Sequence, residues 1–300
     1  MVESRDGGGA TATGEQIADW YAAGHRDLPW RHPDYPAWGI LVSEFMLQQT
    51  PVARVIPRLA AWMKQWPTPA ALAAVPPGEA VRAWDRLGYP RRALNLHATA
   101  VAITERHGGR VPSEVDALLE LPGVGPYTAR AVAAFAYGVR TPVVDTNVRR
   151  VLARALGGRA EPGPPQTRAD LETMDAILPV DPERARLTNA GAMELGQLVC
   201  TARSPRCETC PLALSCAWRA AVYPEYDGPR AARQKKYEGS DRQVRGLILR
   251  ELRAADIPVP GDTLATLWPD AAQFERAMAG LVRDGLVTGD STDGYTLPLL

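Results

Sequence analysis

Apolar positions recur every three or four residues through most of the chain, the period of an amphipathic α-helix. Strand-like alternation of apolar and polar residues is nearly absent before residue 240, and Pro and Gly mark the ends of the segments. The pattern therefore predicts an all-α region of short helices. They are expected at residues 15–24, 39–48, 51–65, 68–74, 78–86, 90–107, 113–120, 126–138, 145–155, 167–178 and 182–200.

The last 60 residues follow a different pattern. Two helical segments, 241–254 and 271–285, precede two short apolar runs, Leu286–Thr288 and Tyr295–Leu297, that flank a turn rich in Gly, Asp and Ser. Helices followed by such a hairpin resemble a winged helix. A small α+β domain of this kind is predicted at residues 241–300.

Composition and charge narrow the class of protein. The hydrophobic content of 46% is that of a globular protein, and no apolar stretch reaches the length of a membrane span. The net charge is zero, but residues 241–300 carry six Arg and nine Asp or Glu, which leaves residues 1–240 with a net charge of +3. This excess permits phosphate binding without predicting it, and the negative C-terminal part argues against strong DNA binding there.

Two further segments lack the pattern of a packed domain. Residues 1–14 have no apolar core of a leader sequence and are predicted to be a disordered tail, so a cytoplasmic location is expected. Residues 219–240 combine Pro, Gly and Lys and are predicted to be a linker. The all-α region would thus occupy residues 15–218.

All four cysteines lie within 17 residues, with the spacing Cys-x6-Cys-x2-Cys-x5-Cys. In a cytoplasmic protein such clustering indicates a metal site rather than disulfides. Four thiolates hold either zinc or an iron–sulfur cluster, and structural zinc usually uses two separated Cys-x2-Cys pairs. The compact set favours a [4Fe–4S] cluster without a catalytic role, and a structural zinc knuckle is the alternative. The ligands would be Cys200, Cys207, Cys210 and Cys216.

Two helical segments flank the turn Gly123-Val124-Gly125 and predict a hairpin. Glycines let the backbone approach a ligand without interference from Cβ, and the first amides of the second helix point outward to an anion. Asp145 follows in the short apolar segment that leaves this helix. A phosphate cradle with one acid nearby indicates chemistry on a nucleic-acid backbone or sugar, although Gly-x-Gly is also an ordinary turn.

A second acid, Glu44, lies in a predicted helix whose neighbouring residues are Leu, Val, Phe and Met. Burial there would raise its pKa and keep a proton available for donation. A glutamate on an apolar helix is more often salt-bridged or turned to the surface, so the pattern alone leaves both readings open. Gln48 and Gln49 follow at the end of the helix, where their amides could reach base edges or fill a gap in a base stack.

Several long motifs together resemble the adenine DNA glycosylases (MutY type) of the helix-hairpin-helix superfamily, over about residues 15–218. The motifs are Arg26–Arg31, Ser43–Thr50, Leu87–Tyr89, Leu121–Ala129, Val144–Val151 and the four cysteines. The resemblance implies a helix-hairpin-helix glycosylase fold with a six-helix barrel over about residues 35–145. It also implies a [4Fe–4S] module built from the N-terminal helix and residues 146–218, and double-stranded DNA as the partner.

The resemblance implies a catalytic role for four residues. Glu44 would protonate the flipped adenine and activate water, Asp145 would stabilise the positive sugar, and Tyr127 and Asn147 match site residues beside them. Cleavage of an N-glycosidic bond needs such a protonated leaving group and a negative group near the developing oxocarbenium ion. Bifunctional relatives have a Schiff-base lysine at position 127, so the tyrosine implies a monofunctional enzyme that leaves an intact abasic strand.

Other residues are expected to contact DNA, because the target base must leave the helix and enter a pocket. The residues expected in the base pocket or the base stack are Arg26, Trp30, Leu47, Gln48, Gln49 and Tyr89. Those expected at phosphates are Gly123, Gly125, Arg91 and Arg149. The tryptophans, Trp62, Trp66 and Trp84 among them, are expected in the core.

Some positions depart from the family pattern. Pro90 replaces the second tyrosine of Gly-Tyr-Tyr, Ala190 stands where Gln or Glu commonly assists at the adenine, and Thr146 replaces a glycine after the aspartate. Typical members also carry a Nudix-like domain that reads 8-oxoguanine, for which 60 C-terminal residues are too few. Poorer discrimination of 8-oxoguanine from guanine is therefore expected.

The sequence thus predicts a monomeric base-excision repair enzyme that removes adenine mispaired with guanine or 8-oxoguanine. A mismatch glycosylase for thymine or uracil is the alternative within the superfamily, since it shares Tyr and Asp at these positions. A catalytically silent iron–sulfur protein that scans DNA or senses redox state is the alternative from another class. The presence of both Glu44 and Asp145 argues against the silent protein, and the motifs Gln48–Thr50 and Arg26–Arg31 favour adenine.

Overall fold

The structure, a computed structural model, describes residues 7–229 and 236–299 and is mostly helical. Every helix predicted before residue 200 is present, which confirms the all-α region. None of the described helices is long and apolar enough to cross a bilayer. The helices up to the cysteine loop are α1 (Gly7–Gly24), α2 (Ala37–Leu47), α3 (Val52–Gln65), α4 (Pro69–Ala73), α5 (Pro77–Trp84), α6 (Arg91–Arg106), α7 (Val115–Leu119), α8 (Pro126–Tyr137), α9 (Thr146–Ala155), α10 (Thr167–Ile177) and α11 (Pro182–Leu198).

Helix α1 begins at Gly7, within the segment predicted to be a disordered tail. Packing explains the difference, because a Cβ on Gly14 would lie 1.9 Å from the carbonyl oxygen of Ile177. Thr188 Oγ1 also donates a hydrogen bond to the carbonyl of Gly14 at 3.0 Å. The rest of the predicted tail, residues 1–6, lies outside the described residues, as do residues 230–235 of the predicted linker.

The chain divides into two compact units. The first unit comprises the described parts of Met1–Tyr35, Ser113–Val115 and Gly125–Ala232, and includes the short helix α12 (Ala217–Ala220). Its core forms where α9 packs against α10 and α11 and where α1 packs on the same two helices. The side chains at the centre of this core, each at most 2% exposed, are Ile17, Val148, Val151, Met174, Ile177 and Leu195.

The second unit comprises the described parts of Pro36–Pro112, Asp116–Val124 and Arg233–Leu300. In its helical part, α6 packs against α2, α4 and α5. The ring of Trp62 meets Trp66 edge-on at 4.7 Å and Trp84 at 5.8 Å between centroids. All three are at most 3% exposed, which confirms that these tryptophans belong to the core.

The C-terminal segment of the second unit, residues 236–299, has the element order of a winged helix: α13 (Asp241–Ala254), α14 (Gly261–Ala265), α15 (Ala271–Arg283), β1 (Thr288–Asp290) and β2 (Gly294–Thr296). The two strands pair antiparallel, with Gly289 opposite Tyr295, and Val259 adds an isolated bridge to Tyr295. Strand β1 begins at Thr288, two residues later than predicted, and the residues before it, Leu286 and Val287, are buried core residues. Strand β2 begins and ends one residue earlier than predicted.

This C-terminal segment is attached directly to helix α5. The N–H of Gly78 donates to the carbonyl of Pro298 at 2.8 Å, and Arg253 Nε donates to the carbonyl of Val81 at 3.0 Å. A Cβ on Gly78 would lie 2.5 Å from the carbonyl oxygen of Pro298, so the two backbones approach very closely. The winged-helix-like segment is therefore part of the same compact unit as α2–α6.

Candidate active site

Asp145 lies at the N-terminus of α9, after the buried Val143. Its Oδ1 accepts a hydrogen bond from the N–H of Val148 at 2.7 Å, and its Oδ2 accepts one from Asn147 Nδ2 at 2.8 Å. Burial raises the pKa of Asp145, while these hydrogen bonds and the charge of Arg150 act in the opposite direction. The carboxyl group is thus held in one orientation at a helix terminus that favours its charged form.

Arg150 connects Asn147 to the cysteine loop. Its Nη2 donates to Asn147 Oδ1 at 2.9 Å and to the carbonyl of Gly196 at 2.6 Å, while its Nε donates to the carbonyl of Cys200 at 2.8 Å. Helix α11 comes so close that a Cβ on Gly196 would lie 2.8 Å from the carbonyl oxygen of Asn147. One hydrogen-bonded chain therefore joins Asp145 to the first cysteine, and the sequence motifs did not predict it.

Arg149 is bound by an acid and by loop carbonyls, and its predicted contact with a phosphate stays a prediction. Its Nε donates to Asp170 Oδ2 at 2.7 Å, and its Nη2 donates to the carbonyl of Pro164 at 2.8 Å. Only 11% of the Arg149 side chain is exposed. Because the guanidinium is engaged by an acid and by backbone carbonyls, it holds α9 to the loop before α10.

Gly123, in the turn of the hairpin, packs so closely against α6 of the second unit that a side chain does not fit there. Its φ is +74°, and a Cβ there would lie 2.6 Å from Cβ of Asn95. Thr99 Oγ1 also donates to the carbonyl of Pro122 at 2.6 Å, which holds the turn against α6. Glycine is therefore required at this position by the fold itself, and the contact of its backbone with a phosphate stays a prediction.

Gly125, which precedes α8 in the first unit, has a different environment. Its φ of −95° is extended, and a Cβ there would meet nothing within 4 Å in the described chain. Pro126 takes the first helical position, and Tyr127 follows half-buried against the core of the first unit. The N-terminus of α8 therefore keeps open space beside it, in the arrangement that binds phosphates at helix N-termini.

Glu44 lies on a helix that is buried along nearly its whole length. Every residue of α2 from Trp38 to Met46 is buried, and Glu44 is 3% exposed. The structure thus confirms that this acid is buried rather than turned to the surface. The role of this carboxyl group toward a substrate base stays a prediction.

Two exposed turns of the second unit carry the residues expected in the base stack. We call them the wedge turns, 47–50 at the end of α2 and 87–90 before α6. Gln49 and Tyr89 have φ values of +58° and +48°, which non-glycine residues rarely adopt and which often mark functional sites. Tyr89 is 47% exposed, and 69% of the neighbouring Arg91 side chain is exposed although it lies 3.9 Å from Asp284.

The loop with Arg26 and Trp30 is fixed by an acid that the sequence motifs did not reveal. The N–H of Arg26 donates to Glu194 Oε1 at 2.7 Å, and its Nη2 donates to Glu194 Oε2 at 3.1 Å and to Gln197 Oε1 at 2.8 Å. Glu194 is 4% exposed and Trp30 is 3% exposed. Helix α11 thus holds Arg26 in place through one buried carboxylate, and Trp30 lies buried in the same loop.

The thiols of the four cysteines lie near one another in the fold. Burial and repulsion by the other three cysteines raise the pKa of Cys210 to about 11, so the four thiols lie near enough to influence one another. The iron ions of a cluster bound by these four thiolates would compensate their negative charges. Arg154 Nη1 lies 3.4 Å from Cys200 Sγ and steadies the start of this loop.

Comparison with known proteins agrees with this geometry. Residues 42–175 match the model of the HhH-GPD superfamily base excision DNA repair protein, and residues 200–216 match the iron–sulfur binding domain of endonuclease III. The adenine DNA glycosylase of Mycolicibacterium smegmatis is 54% identical over 283 residues, covering 94% of both chains. The chain belongs to the adenine DNA glycosylase family. The adenine DNA glycosylase of Mycobacterium tuberculosis strain H37Rv is 52% identical over 93% of this chain and 91% of that relative.

Membership of the adenine DNA glycosylases confirms the helix-hairpin-helix fold, the enzyme class and the [4Fe–4S] cofactor on the four cysteines. A solved structure of a thermostable thymine-DNA glycosylase has the same fold, with a TM-score of 0.65 at 28% identity over 71% of this chain and 98% of that one. The mycobacterial alignments span nearly the full length of both partners, so most of the C-terminal segment is shared with those relatives.

Proposed function

We propose that this DNA glycosylase hydrolyses the N-glycosidic bond of adenine mispaired with 8-oxoguanine or guanine in double-stranded DNA. The contrast between two carboxyl groups carries the proposal. Glu44 is 3% exposed on an apolar helix, whereas Asp145 accepts two hydrogen bonds at the N-terminus of α9. Two carboxyl groups in such different environments can serve as acid and anion in one reaction.

Glu44 would supply the proton. Adenine leaves as an anion unless it is protonated, so donation of a proton to the flipped base makes it a neutral leaving group. The resulting carboxylate would then accept a proton from the attacking water. The buried position of Glu44 supports this role, because bulk water has little access to the carboxyl group.

Asp145 would stabilise the positive charge that develops on the sugar as the base leaves. Its carboxylate is oriented before the reaction by the hydrogen bonds from Asn147 and Val148. Preorganised negative charge near an oxocarbenium ion lowers the barrier without reorganisation during the reaction. Arg150, which braces Asn147, would preserve that orientation.

Tyr127 would limit the enzyme to hydrolysis. Strand cleavage by a glycosylase requires an amine that forms a Schiff base with the abasic sugar, and a phenol cannot do so. The expected product is therefore free adenine and an intact strand with an abasic site. The N-terminus of α8 beside Tyr127 would hold a phosphate while Gln49 and Tyr89 enter the base stack.

The iron–sulfur cluster would organise the loop from Cys200 to Cys216. Its four thiolate ligands would fix the carbonyl of Cys200, which accepts the hydrogen bond from Arg150. The chemistry that the cluster supplies is metal–thiolate bonding that stabilises this fold. Bond cleavage would be carried out by the side chains described above.

Removal of thymine from mismatches is the second candidate function. It is favoured by the match to the thermostable thymine-DNA glycosylase, which covers 98% of that chain. The mycobacterial relatives named adenine DNA glycosylase are more similar and extend over the C-terminal segment as well, which supports adenine.

Single-turnover excision on a panel of duplexes tests the proposal. We expect release of adenine opposite 8-oxoguanine and guanine, little release of thymine or uracil opposite guanine, and a loss of about 1000-fold or more in Glu44→Gln, because no other group replaces the acid. The control for folding is that Glu44→Gln binds the same duplexes as tightly as the parental enzyme does. Preferential release of thymine would favour the second candidate, and unchanged activity in Glu44→Gln would overturn the mechanism.

A further inference from the structure

Arg92, in the first turn of α6, lies between the two wedge turns and is 9% exposed. Its Nη1 donates hydrogen bonds to the carbonyl of Phe45, at 2.9 Å, and to the carbonyl of Gln48. Its Nη2 donates to the carbonyl of Gly88 at 3.2 Å. One guanidinium therefore binds the end of α2 and the turn before Tyr89 at the same time.

The Arg92 guanidinium also lies over the ring of Tyr89 in a cation–π arrangement. The Cζ atom of Arg92 lies 5.1 Å from the centroid of the Tyr89 ring and 5.7 Å from that of Trp84. A further bond joins the wedge turns independently of Arg92, because Thr50 Oγ1 donates to the carbonyl of Leu87 at 3.0 Å. The two turns are thus tied to each other and not only to their own helices.

The electrostatics of this site favour a guanidinium. Burial lowers the pKa of Arg92 to about 10, so the group stays charged at neutral pH. Its acceptors include carbonyls at the C-terminal end of α2, where the helix dipole is negative. The planar fork of a guanidinium reaches several diverging carbonyls at once, whereas a lysine ammonium is a compact charge on a flexible stem.

We infer that Arg92 is a positioning residue that joins Gln49 and Tyr89 into one rigid wedge. Both residues are held at positive φ in exposed turns, and turns of this kind relax unless their surroundings fix them. A shared anchor means that the two side chains enter the base stack together, without a separate loss of conformational entropy for each. The inference rests on the proposed function, because it requires a duplex with a flipped base.

A double-mutant cycle measures this coupling. Single-turnover excision of adenine opposite 8-oxoguanine is compared for Gln49→Ala, Tyr89→Ala and the double variant, with Arg92 intact and with Arg92→Met. With Arg92 intact, we expect the excision rate of the double variant to be about fivefold higher than the product of the two single-variant effects predicts, as for residues that act as a unit. With Arg92→Met, the losses should multiply to within about twofold. Equal coupling in both backgrounds, or no coupling with Arg92 intact, would overturn the inference.

Arg92→Lys keeps the buried charge and provides the second variant if Arg92→Met does not fold. We expect it also to lose the coupling, because one ammonium cannot hold carbonyls on both turns; full coupling in Arg92→Lys would contradict the fork as the cause. Arg106→Met, at the exposed opposite end of α6, is the control for loss of a positive charge and should retain the coupling.

Fluorescence of 2-aminopurine placed beside 8-oxoguanine reports insertion without excision. In the Glu44→Gln background, the same cycle should show coupled changes in fluorescence that Arg92→Lys abolishes. Excision by the parental enzyme tests the proposed function separately. If the parental enzyme excises adenine but the fluorescence coupling is the same with and without Arg92→Lys, the inference about Arg92 is refuted and the proposed function stands.

Discussion

Asn147 donates a hydrogen bond to Oδ2 of Asp145 across 2.8 Å. The other end of the same amide accepts a hydrogen bond from Arg150, which fixes the amide with its NH2 group toward the carboxylate. Asn147 therefore controls both the orientation and the ionisation of the acid that would face the sugar.

Asn147→Ala should shift the pH profile of excision. Burial raises the pKa of Asp145 and the hydrogen bond from Asn147 lowers it, so removal of that bond raises the pKa further. Only the ionised carboxylate stabilises the sugar cation, hence activity falls as the pH drops through this pKa. The acidic limb of the single-turnover profile should move to higher pH. Thr146→Ala, on the exposed neighbour, is the control, and an unmoved limb in Asn147→Ala would contradict the assignment.

Arg150→Met should slow excision while the enzyme still binds DNA. The guanidinium holds Asn147, Gly196 and Cys200 together, and loss of a charged hydrogen bond of about 2 kcal/mol corresponds to a rate about 30-fold lower. Single-turnover rates are measured together with the visible absorbance of the cluster. A normal rate in a variant with a normal cluster would show that the chain of hydrogen bonds does not position Asp145.

Gly196→Ala should displace Asn147. The added methyl would lie 2.8 Å from the Asn147 carbonyl oxygen, closer than such contacts allow. We expect excision about tenfold slower and a free energy of unfolding lower by about 1–3 kcal/mol, the usual effect of overpacking. Gly24→Ala is the matched control, because a Cβ there meets nothing within 4 Å in the described chain. Equal behaviour of the two variants would exclude the close approach.

Arg149 and Arg91 should respond differently to neutralisation. Arg91→Met removes an exposed charge beside the wedge turns, so the slope of log Kd against log salt should fall by about one unit. Arg149→Met breaks the ion pair with Asp170, so it should lower the melting temperature and leave that slope unchanged. Salt titrations of DNA binding and thermal melts distinguish the two. A reduced slope in Arg149→Met would instead support the phosphate contact predicted for Arg149 from the sequence.

Tyr127→Lys should introduce strand cleavage. A lysine amine in the first turn of α8 could form a Schiff base with the abasic sugar, whereas the tyrosine cannot. Borohydride should then trap a covalent adduct between the variant and DNA that the parental enzyme does not give. Strong trapping by the parental enzyme would instead contradict its assignment as monofunctional.

Much of the fold follows from local pattern. The apolar period of α3 or α9 is long enough to identify a helix. Helix α14 begins Gly-Asp-Thr, with no apolar residue in its first three positions, and was missed. The apolar pair Leu286 and Val287 indicated a strand, yet both side chains are buried in the core and the strand starts after them.

The candidate site was predictable where a motif carries the chemistry and unpredictable where a partner lies far along the chain. Glu44 and Asp145 stand in recognisable motifs. Glu194, in contrast, is separated by 168 residues from the arginine it holds. Arg91 and Arg92 are identical neighbours in sequence, and only the packing of α6 shows that one is exposed and the other buried.

The T-shaped tryptophan pairs of the second unit also provide a spectroscopic probe of its core. Coupled indole rings such as Trp62, Trp66 and Trp84 produce an exciton signal in circular dichroism that vanishes when their mutual geometry is lost. The iron–sulfur chromophore lies in the first unit, on the loop from Cys200 to Cys216. Each unit thus has its own spectroscopic signal, and the melting of one unit can be followed separately from the melting of the other.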